Sequence, residues 1–175
     1  MEICKTTLRD VWLIKPDVFT DFRGDYAMTY NKKLYEQFGF EVVEQDISTS
    51  SKGVLRGIHY SPNCWKIYEC MYGTMYYVIT NCDIKDSEFG KSEAFIISDK
   101  NHWQIVKHPR YGAGFLAITD CVLHYMQSEY YDAKDPNQST FKYDDPRLKL
   151  WWPKIMPEPI LSKRDKVGEY EFRLK

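Results

Sequence analysis

Residues 48–60 bring a possible base, a fixed positive charge and several hydroxyl groups into one short stretch of the chain. The imidazole of His59 titrates near neutral pH, and the forked guanidinium of Arg56 suits phosphate groups. The apolar residues around them fit a buried strand, and Gly57 would let a ligand or another backbone approach closely. We therefore interpret this stretch as the floor of an active site.

A purely structural interpretation of the two charged residues stays open at this point. His59 would then be a core histidine whose ring is satisfied by a neighbour, and Arg56 would form a structural ion pair. The residue types alone do not distinguish the two interpretations, so the remaining sequence is needed to choose between them.

The order of residues along nearly the whole chain resembles the signature of a known enzyme family. Residues 52–60 read Lys-Gly-Val-Leu-Arg-Gly-Ile-His-Tyr. Further matching positions, in the same order, are Asp21-Phe22-Arg23-Gly24, Gln45, Ser48, Ser50, Lys66 and the tail residues 144–146 and 161–165. Together they resemble the dTDP-4-dehydrorhamnose 3,5-epimerase family, whose members are cupin-fold enzymes that epimerise 4-keto nucleotide sugars.

The resemblance implies a catalytic set of four residues. The protons beside the ketone of such a sugar are acidic because the carbanion delocalises into an enolate. His59 would be the base, Asp165 would orient and stabilise it, and Tyr125 would return a proton on the opposite face. Lys66 would lie beside the developing O4 oxyanion.

The resemblance also implies five substrate-binding residues. Arg56 and Arg23 would clamp the diphosphate, and Gln45, Ser50 and Tyr131 would complete the substrate site. For Arg23 a second explanation stays open, namely a turn-stabilising pair with a neighbouring aspartate.

The chain departs from the pattern of the rhamnose-pathway members at two positions. Met28 replaces an acidic residue, and Ala113 replaces a histidine that usually precedes the Gly-Phe pair. Both changes concern substrate specificity, and similar Pro-Gly turns are found in heptose-modifying relatives from bacterial capsule pathways. The alternatives that stay open are a hexose or a heptose, linked to GDP or to dTDP and inverted at C3, C5 or both.

We predict that the protein uses no metal and no other cofactor. Metal-binding cupins need two histidines one residue apart and a third in the later Pro-Gly turn. Here residues 58–60 supply one histidine, and Ala113 and Gly114 occupy the turn. One imidazole does not hold a catalytic divalent ion tightly.

The bulk composition limits the class of protein. A length of 175 residues suits a single cupin-like domain over residues 1–175. A formal charge of -1 argues against a partner that demands a basic excess, such as nucleic acid or a membrane surface.

The 5 cysteines are scattered without a metal-ligand pattern, which indicates reduced thiols. With no leader sequence or long apolar run, we expect a cytoplasmic protein.

Many short strands separated by glycine and proline turns predict an all-β protein, a cupin jelly-roll β-sandwich with a few short peripheral helices. We expect strands over residues 11–14, 40–47, 65–72, 74–81, 93–97, 102–106 and 116–119, with a catalytic-tyrosine strand over 122–131. A short helix over 32–38 should end at Gly39. Alternation along 65–72 places Lys66 on the same face as Tyr68, which favours a Lys66 side chain that points into the sandwich.

Two other functions remain open from the sequence. One is a 3,4-ketoisomerase, which acts on the same ketones in a similar barrel but moves the carbonyl. The other is a non-catalytic sugar-nucleotide-binding cupin, which the changes at Met28 and Ala113 make plausible. The resemblance further implies a homodimer with exchanged N-terminal strands.

Overall fold

A computed structural model describes residues 1–168, which form antiparallel strands and two short helices. The strands are β1 (Glu2–Lys5), β2 (Val11–Lys15), β3 (Val18–Asp21), β4 (Gly24–Ala27), β5 (Glu44–Ser50), β6 (Leu55–Tyr60), β7 (Lys66–Tyr72), β8 (Thr74–Asn81), β9 (Ser92–Ser98), β10 (Gln104–Lys107), β11 (Tyr111–Ala117), β12 (Cys121–Gln127) and β13 (Ser139–Thr140). The helices are α1 (Lys32–Tyr35), continued by a 3-10 turn (Glu36–Phe38), and α2 (Lys163–Val167).

Two large sheets form the jelly-roll sandwich that the sequence predicts. The first has the strand order β1-β2-β10-β7-β12-β5, and the second has the order β13-β6-β11-β8-β9. Strands β3 and β4 pair with each other and form a separate hairpin. Gly73 takes the chain from β7 in the first sheet directly to β8 in the second, so these two consecutive strands face each other across the core.

The core lies between the two sheets because alternate residues of each strand are apolar. Inward residues of the first sheet, such as Tyr68 and Leu123, meet inward residues of the second sheet, such as Met75, Tyr77 and Phe115. Tyr77 stacks on Phe115 with ring centroids 6.0 Å apart. Both rings also line a cavity between the sheets.

The outer face of the first sheet is covered by α1 and its 3-10 turn. Tyr35 and Phe38 pack there against Ile67 and Val106. The helix ends as predicted at Gly39, which adopts a left-handed backbone with φ 79°.

Strand β11 differs from the prediction in its start. The sequence suggests a Pro-Gly turn over 109–115 followed by a strand from Leu116, whereas β11 begins at Tyr111. The residues after Pro109 pair with β8 from Tyr111 onward, so the glycines lie inside the sheet. A Cβ atom on Gly57 would lie 2.5 Å from the Cα of Gly114, which explains why small residues are needed where β6 meets β11.

Within residues 1–168, no helix has the length and the apolar character that are required to span a membrane.

Candidate active site

A cavity of about 530 Å³ opens between the two sheets. Of the predicted site residues, His59 and Arg56 reach it from β6, Lys66 from β7 and Tyr125 from β12. Tyr131, from the segment after β12, also lines it. The predicted base and the predicted tyrosine therefore share one cavity.

A buried carboxylate holds the imidazole of His59. The Nε2 atom of His59 lies 2.6 Å from Oδ1 of Asp165 on α2. The hydroxyl of Ser162 donates to Oδ2 of Asp165 at 2.8 Å, and the backbone N–H of Gly57 donates to Oδ1 at 3.3 Å. Ser162 also caps α2, because its side chain accepts from the backbone N–H of Asp165. These contacts explain why a loop-rich C-terminal segment reaches a residue in a central strand.

The arrangement determines which nitrogen of His59 can accept a proton. With the Nε2 proton donated to Asp165, the lone pair remains on Nδ1, which has no hydrogen-bond partner among residues 1–168. Burial lowers the pKa of His59, and the hydrogen bond to Asp165 opposes that shift. Burial alone would raise the pKa of Asp165, but the bonds from His59, Ser162 and Gly57 outweigh it and lower the pKa. At neutral pH the pair is thus a neutral imidazole beside a carboxylate.

Lys66 and Tyr125 form the other polar side of the cavity. The Nζ atom of Lys66 lies 4.9 Å from the centre of the Tyr125 ring. Burial lowers the pKa of Lys66, and it raises the pKa of Tyr125 to about 12. Tyr125 therefore carries its proton at neutral pH and can act as an acid.

Arg56 is held in place by the neighbouring strand β5. Its Nε donates to the hydroxyl of Ser50 at 2.9 Å, and its Nη2 donates to the carbonyl of Thr49 at 3.0 Å. Ser50 is buried, and its hydroxyl holds the side chain of Arg56. The remaining guanidinium donors are available to an anionic group in the cavity.

Two predicted binding residues lie away from this cavity. Gln45 points to the opposite face of the first sheet, where its Oε1 lies 3.2 Å from Nε2 of His124. Arg23 lies on the β3-β4 hairpin and forms a bidentate pair with Asp21, with the shortest contact at 2.6 Å. This is the turn-stabilising pair that the sequence left open. A role of Gln45 or Arg23 in binding stays a prediction.

The sequence interpretation missed several residues of the cavity, including Lys107 and Tyr77. The expected strand over 102–106 stops one residue before Lys107. Extending the alternation from Ile105 would have placed Lys107 on the inner face. Tyr77 would have followed from the same alternation in β8.

An imidazole, a phenol and an ammonium around one cavity are groups that can move protons at a carbon atom, as the reaction of an isomerase-class enzyme requires. Comparison with known proteins gives the same class. The family model for dTDP-4-dehydrorhamnose 3,5-epimerase matches residues 5–170, and the chain belongs to this family.

Individual relatives and solved structures are similar over most of the chain. The dTDP-4-dehydrorhamnose 3,5-epimerase of Methanothermobacter thermautotrophicus is 29% identical over 93% of this chain and 90% of its own length. A dTDP-6-deoxy-D-glucose-3,5-epimerase from Legionella pneumophila, solved with dTDP-4-keto-L-rhamnose, has a TM-score of 0.88 at 26% identity, covering 95% and 90% of the two chains. A 3'-monoepimerase from Streptomyces bikiniensis, solved with dTDP-quinovose, has a TM-score of 0.87 at 26% identity, covering 95% and 86%.

Proposed function

We propose that the protein inverts C3, C5 or both in a 4-keto nucleotide sugar by way of an enolate. The observation that carries this proposal is that His59 and Tyr125 line the same cavity, with Lys66 beside Tyr125. The Nδ1 atom of His59 takes the proton from the carbon beside the ketone, and the electron pair moves onto O4. Tyr125 then delivers a proton to the other face of that carbon.

Each group has the protonation state that its step requires. A neutral His59 accepts a proton and becomes an imidazolium that the Asp165 carboxylate stabilises. A protonated Tyr125 donates one. The ammonium of Lys66 stabilises the negative charge on O4, where such a donor is worth about 3 kcal/mol.

The proposal also concerns which nucleotide and which sugar the substrate contains. Two similar structures hold dTDP-linked sugars, which supports dTDP. A GDP-linked heptose is a second candidate, because Ala113 pairs with His59 in the β6-β11 register and lines the cavity. A methyl group at this position leaves more room beside the base than a histidine would. Such a substrate would belong to bacterial capsule or surface-polysaccharide synthesis.

We further propose a homodimer of single-domain chains. The β3-β4 hairpin pairs only with itself among the described residues, and it exposes Phe19, Phe22 and Tyr26. An isolated two-stranded hairpin is marginally stable in water, and exposed aromatic clusters mark interaction sites. A second copy that covers this hairpin would also bring Arg23 towards a neighbouring cavity. A cytoplasmic location fits the five unpaired cysteines.

The direct test is proton exchange in D2O, followed by NMR and mass spectrometry. A panel of 4-keto hexose and heptose nucleotides, linked to GDP or dTDP, should include one that gains deuterium at C3 or C5 with inversion. Exchange at C3 alone with a displaced carbonyl would instead indicate the ketoisomerase. Binding without exchange would indicate a binding protein. His59→Asn should abolish exchange, and a variant that keeps it would remove His59 as the base.

A further inference from the structure

Two buried tyrosines, Tyr68 on β7 and Tyr77 on β8, meet in the wall of the cavity. Tyr68 is 6% exposed and Tyr77 is 2% exposed, and both line the cavity. Their rings come from opposite sheets, with centroids 4.9 Å apart and an angle of 41° between the planes. The proposed mechanism uses neither hydroxyl group, although burying a hydroxyl is costly unless it forms hydrogen bonds.

The two phenols interact with each other through their hydroxyl groups. This hydrogen-bonding interaction raises the pKa of Tyr77, whereas at Tyr68 it opposes the increase that burial causes. Such a pair of effects is expected when Tyr77 donates and the oxygen of Tyr68 accepts. Burial still raises the pKa of both groups well above the ordinary value, so each keeps its proton at neutral pH. Among residues 1–168 no further group accepts the proton of Tyr68, which leaves it for a ligand in the cavity.

Tyr68 lies beside the groups that the proposed mechanism places around the ketone. Lys66 is two residues earlier on β7, so alternation puts both side chains on the inner face of the sheet. The register of β12 with β7 pairs Tyr125 with Tyr68, and the centroids of these two rings are 6.1 Å apart. Because Nζ of Lys66 lies 4.9 Å from the centre of the Tyr125 ring, the three side chains surround one part of the cavity.

Packing alone does not account for phenols at these positions. Tyr77 stacks on Phe115 and pairs with Phe95 across β9, so phenylalanine would fill the same space without a hydroxyl to desolvate. A neutral donor, in contrast, suits the oxygen on which the enolate charge develops, since a preorganised hydrogen bond stabilises that charge in a site with little water. The interaction with Tyr77 polarises the hydroxyl of Tyr68, because hydrogen bonds in a chain strengthen one another.

We propose that Tyr68 donates a hydrogen bond to O4 of the substrate and, together with Lys66, stabilises the enolate. Tyr77 is the positioning residue behind it. This inference rests on the proposed function. When His59 takes the carbon-bound proton, the electron pair of that bond forms the C=C bond and the carbonyl pair moves to O4. Tyr68 keeps its own proton, and its hydrogen bond to O4 strengthens. When Tyr125 protonates the carbon, the ketone re-forms and this hydrogen bond weakens again.

The experiment measures deuterium exchange, inversion and steady-state kinetics for Tyr68→Phe, with the nucleotide sugar that the unaltered protein epimerises. Removing one donor to an oxyanion costs about 10²–10³-fold in kcat, so exchange and inversion should fall together by about this factor. KM should change by less than about twofold, because the hydrogen bond gains its strength in the enolate. In Tyr125→Phe, by comparison, exchange should continue. Tyr77→Phe should lower both rates by less, roughly tenfold at most.

The matched control is Tyr76→Phe, at the neighbouring position of β8. Tyr76 lies on the outer face of the second sheet, where its ring packs against Trp151 and Trp152, and its hydroxyl should affect neither rate. A Tyr68→Phe variant that keeps the exchange rate overturns the inference. A raised KM at constant kcat also overturns it, since the hydroxyl would then bind the substrate and the enolate equally well.

A second variant decides the question if Tyr68→Phe does not fold. Tyr68→3-fluorotyrosine keeps the shape of the side chain and makes the phenol a stronger hydrogen-bond donor, so the exchange rate should rise. An unchanged or lower rate overturns the inference. In each of these cases the unaltered protein still exchanges deuterium, whereas failure of the proposed function would remove exchange from the unaltered protein with every nucleotide sugar.

Discussion

Nε2 of His59 lies 2.6 Å from Oδ1 of Asp165, although 106 positions separate the two residues in the chain. The carboxylate is almost completely buried, whereas the side chain of His59 lies within the cavity wall with 40% of its surface accessible. The pair therefore presents one face of the imidazole to the cavity and keeps its partner away from water. This geometry fixes the tautomer of His59 and influences the pKa of its imidazole.

Asp165→Asn should reveal separately the two effects of the carboxylate, which raises the pKa of His59 and stabilises the imidazolium. Only a neutral His59 accepts a proton, so kcat/KM should rise with pH through the pKa of His59, which burial places below about 6.5. Because Asp165 raises that pKa, its neutralisation should move the acid limb to lower pH. The plateau should fall by roughly 10²–10⁴-fold, since the imidazolium is no longer stabilised. A pH–rate profile measures both changes, and an acid limb that moves to higher pH would contradict the assignment.

Tyr125→Phe should uncouple hydrogen exchange from inversion. His59 can still remove a proton and return a deuteron to the same face, so label should enter the substrate in D2O. Product of inverted configuration should fall by ~10²-fold or more, because the acid on the other face is missing. NMR measures both quantities in one sample. Tyr72→Phe, which alters an exposed tyrosine at the end of β7, is the control, and equal losses of exchange and inversion would contradict the separate roles.

The sequence predicted most of the fold from local pattern, whereas the set of candidate catalytic residues came from the family resemblance. Alternation along β7 placed Lys66 inward, as the structure shows, and the motif around His59 identified its strand. The pairing of His59 with Asp165 came from the family resemblance, since residue spacing does not show which loop returns to a central strand. The inward position of Lys107 required the exact end of β10, and strand ends are poorly determined by periodicity.

The positions of Arg23 and Gln45 show a different limit. Both follow the order of family residues, yet within this chain neither reaches the cavity. The proposed contribution of Arg23 to a neighbouring cavity depends on a second chain, which alternation within one chain does not show. Alternation along β5 places Gln45 on the outer face of the sheet, because its neighbours Glu44 and Asp46 both contact Gln127 on the inner face.

Arg56→Lys should weaken substrate binding more than it slows chemistry. Lysine keeps the charge but loses the fork that contacts Ser50, Thr49 and an anion at the same time. We expect KM for the nucleotide sugar to rise about tenfold, equivalent to about 1.4 kcal/mol, with little change in kcat. Ser50→Ala should raise KM by less, through the loss of one hydrogen bond. Steady-state kinetics measure KM and kcat of both variants, and Arg9→Lys, at an exposed arginine, is the control. A fall in kcat at constant KM would instead assign Arg56 to the chemical step.

Phe22→Glu should dissociate the proposed homodimer. The Phe22 side chain is 98% exposed at the tip of the β3-β4 hairpin, and covering such a ring contributes about 1.5–3 kcal/mol, which a buried carboxylate would reverse. Light scattering should show a dimer for the unaltered protein and a larger monomer fraction for the variant. Ile84→Glu, which adds the same charge at a 70% exposed apolar residue in the β8-β9 connection, should leave the mass unchanged. If Arg23 of a second copy completes the site, the monomer should also show a raised KM for the nucleotide. An unaltered protein that is monomeric at all concentrations would contradict the dimer and leave the chemistry at His59 untouched.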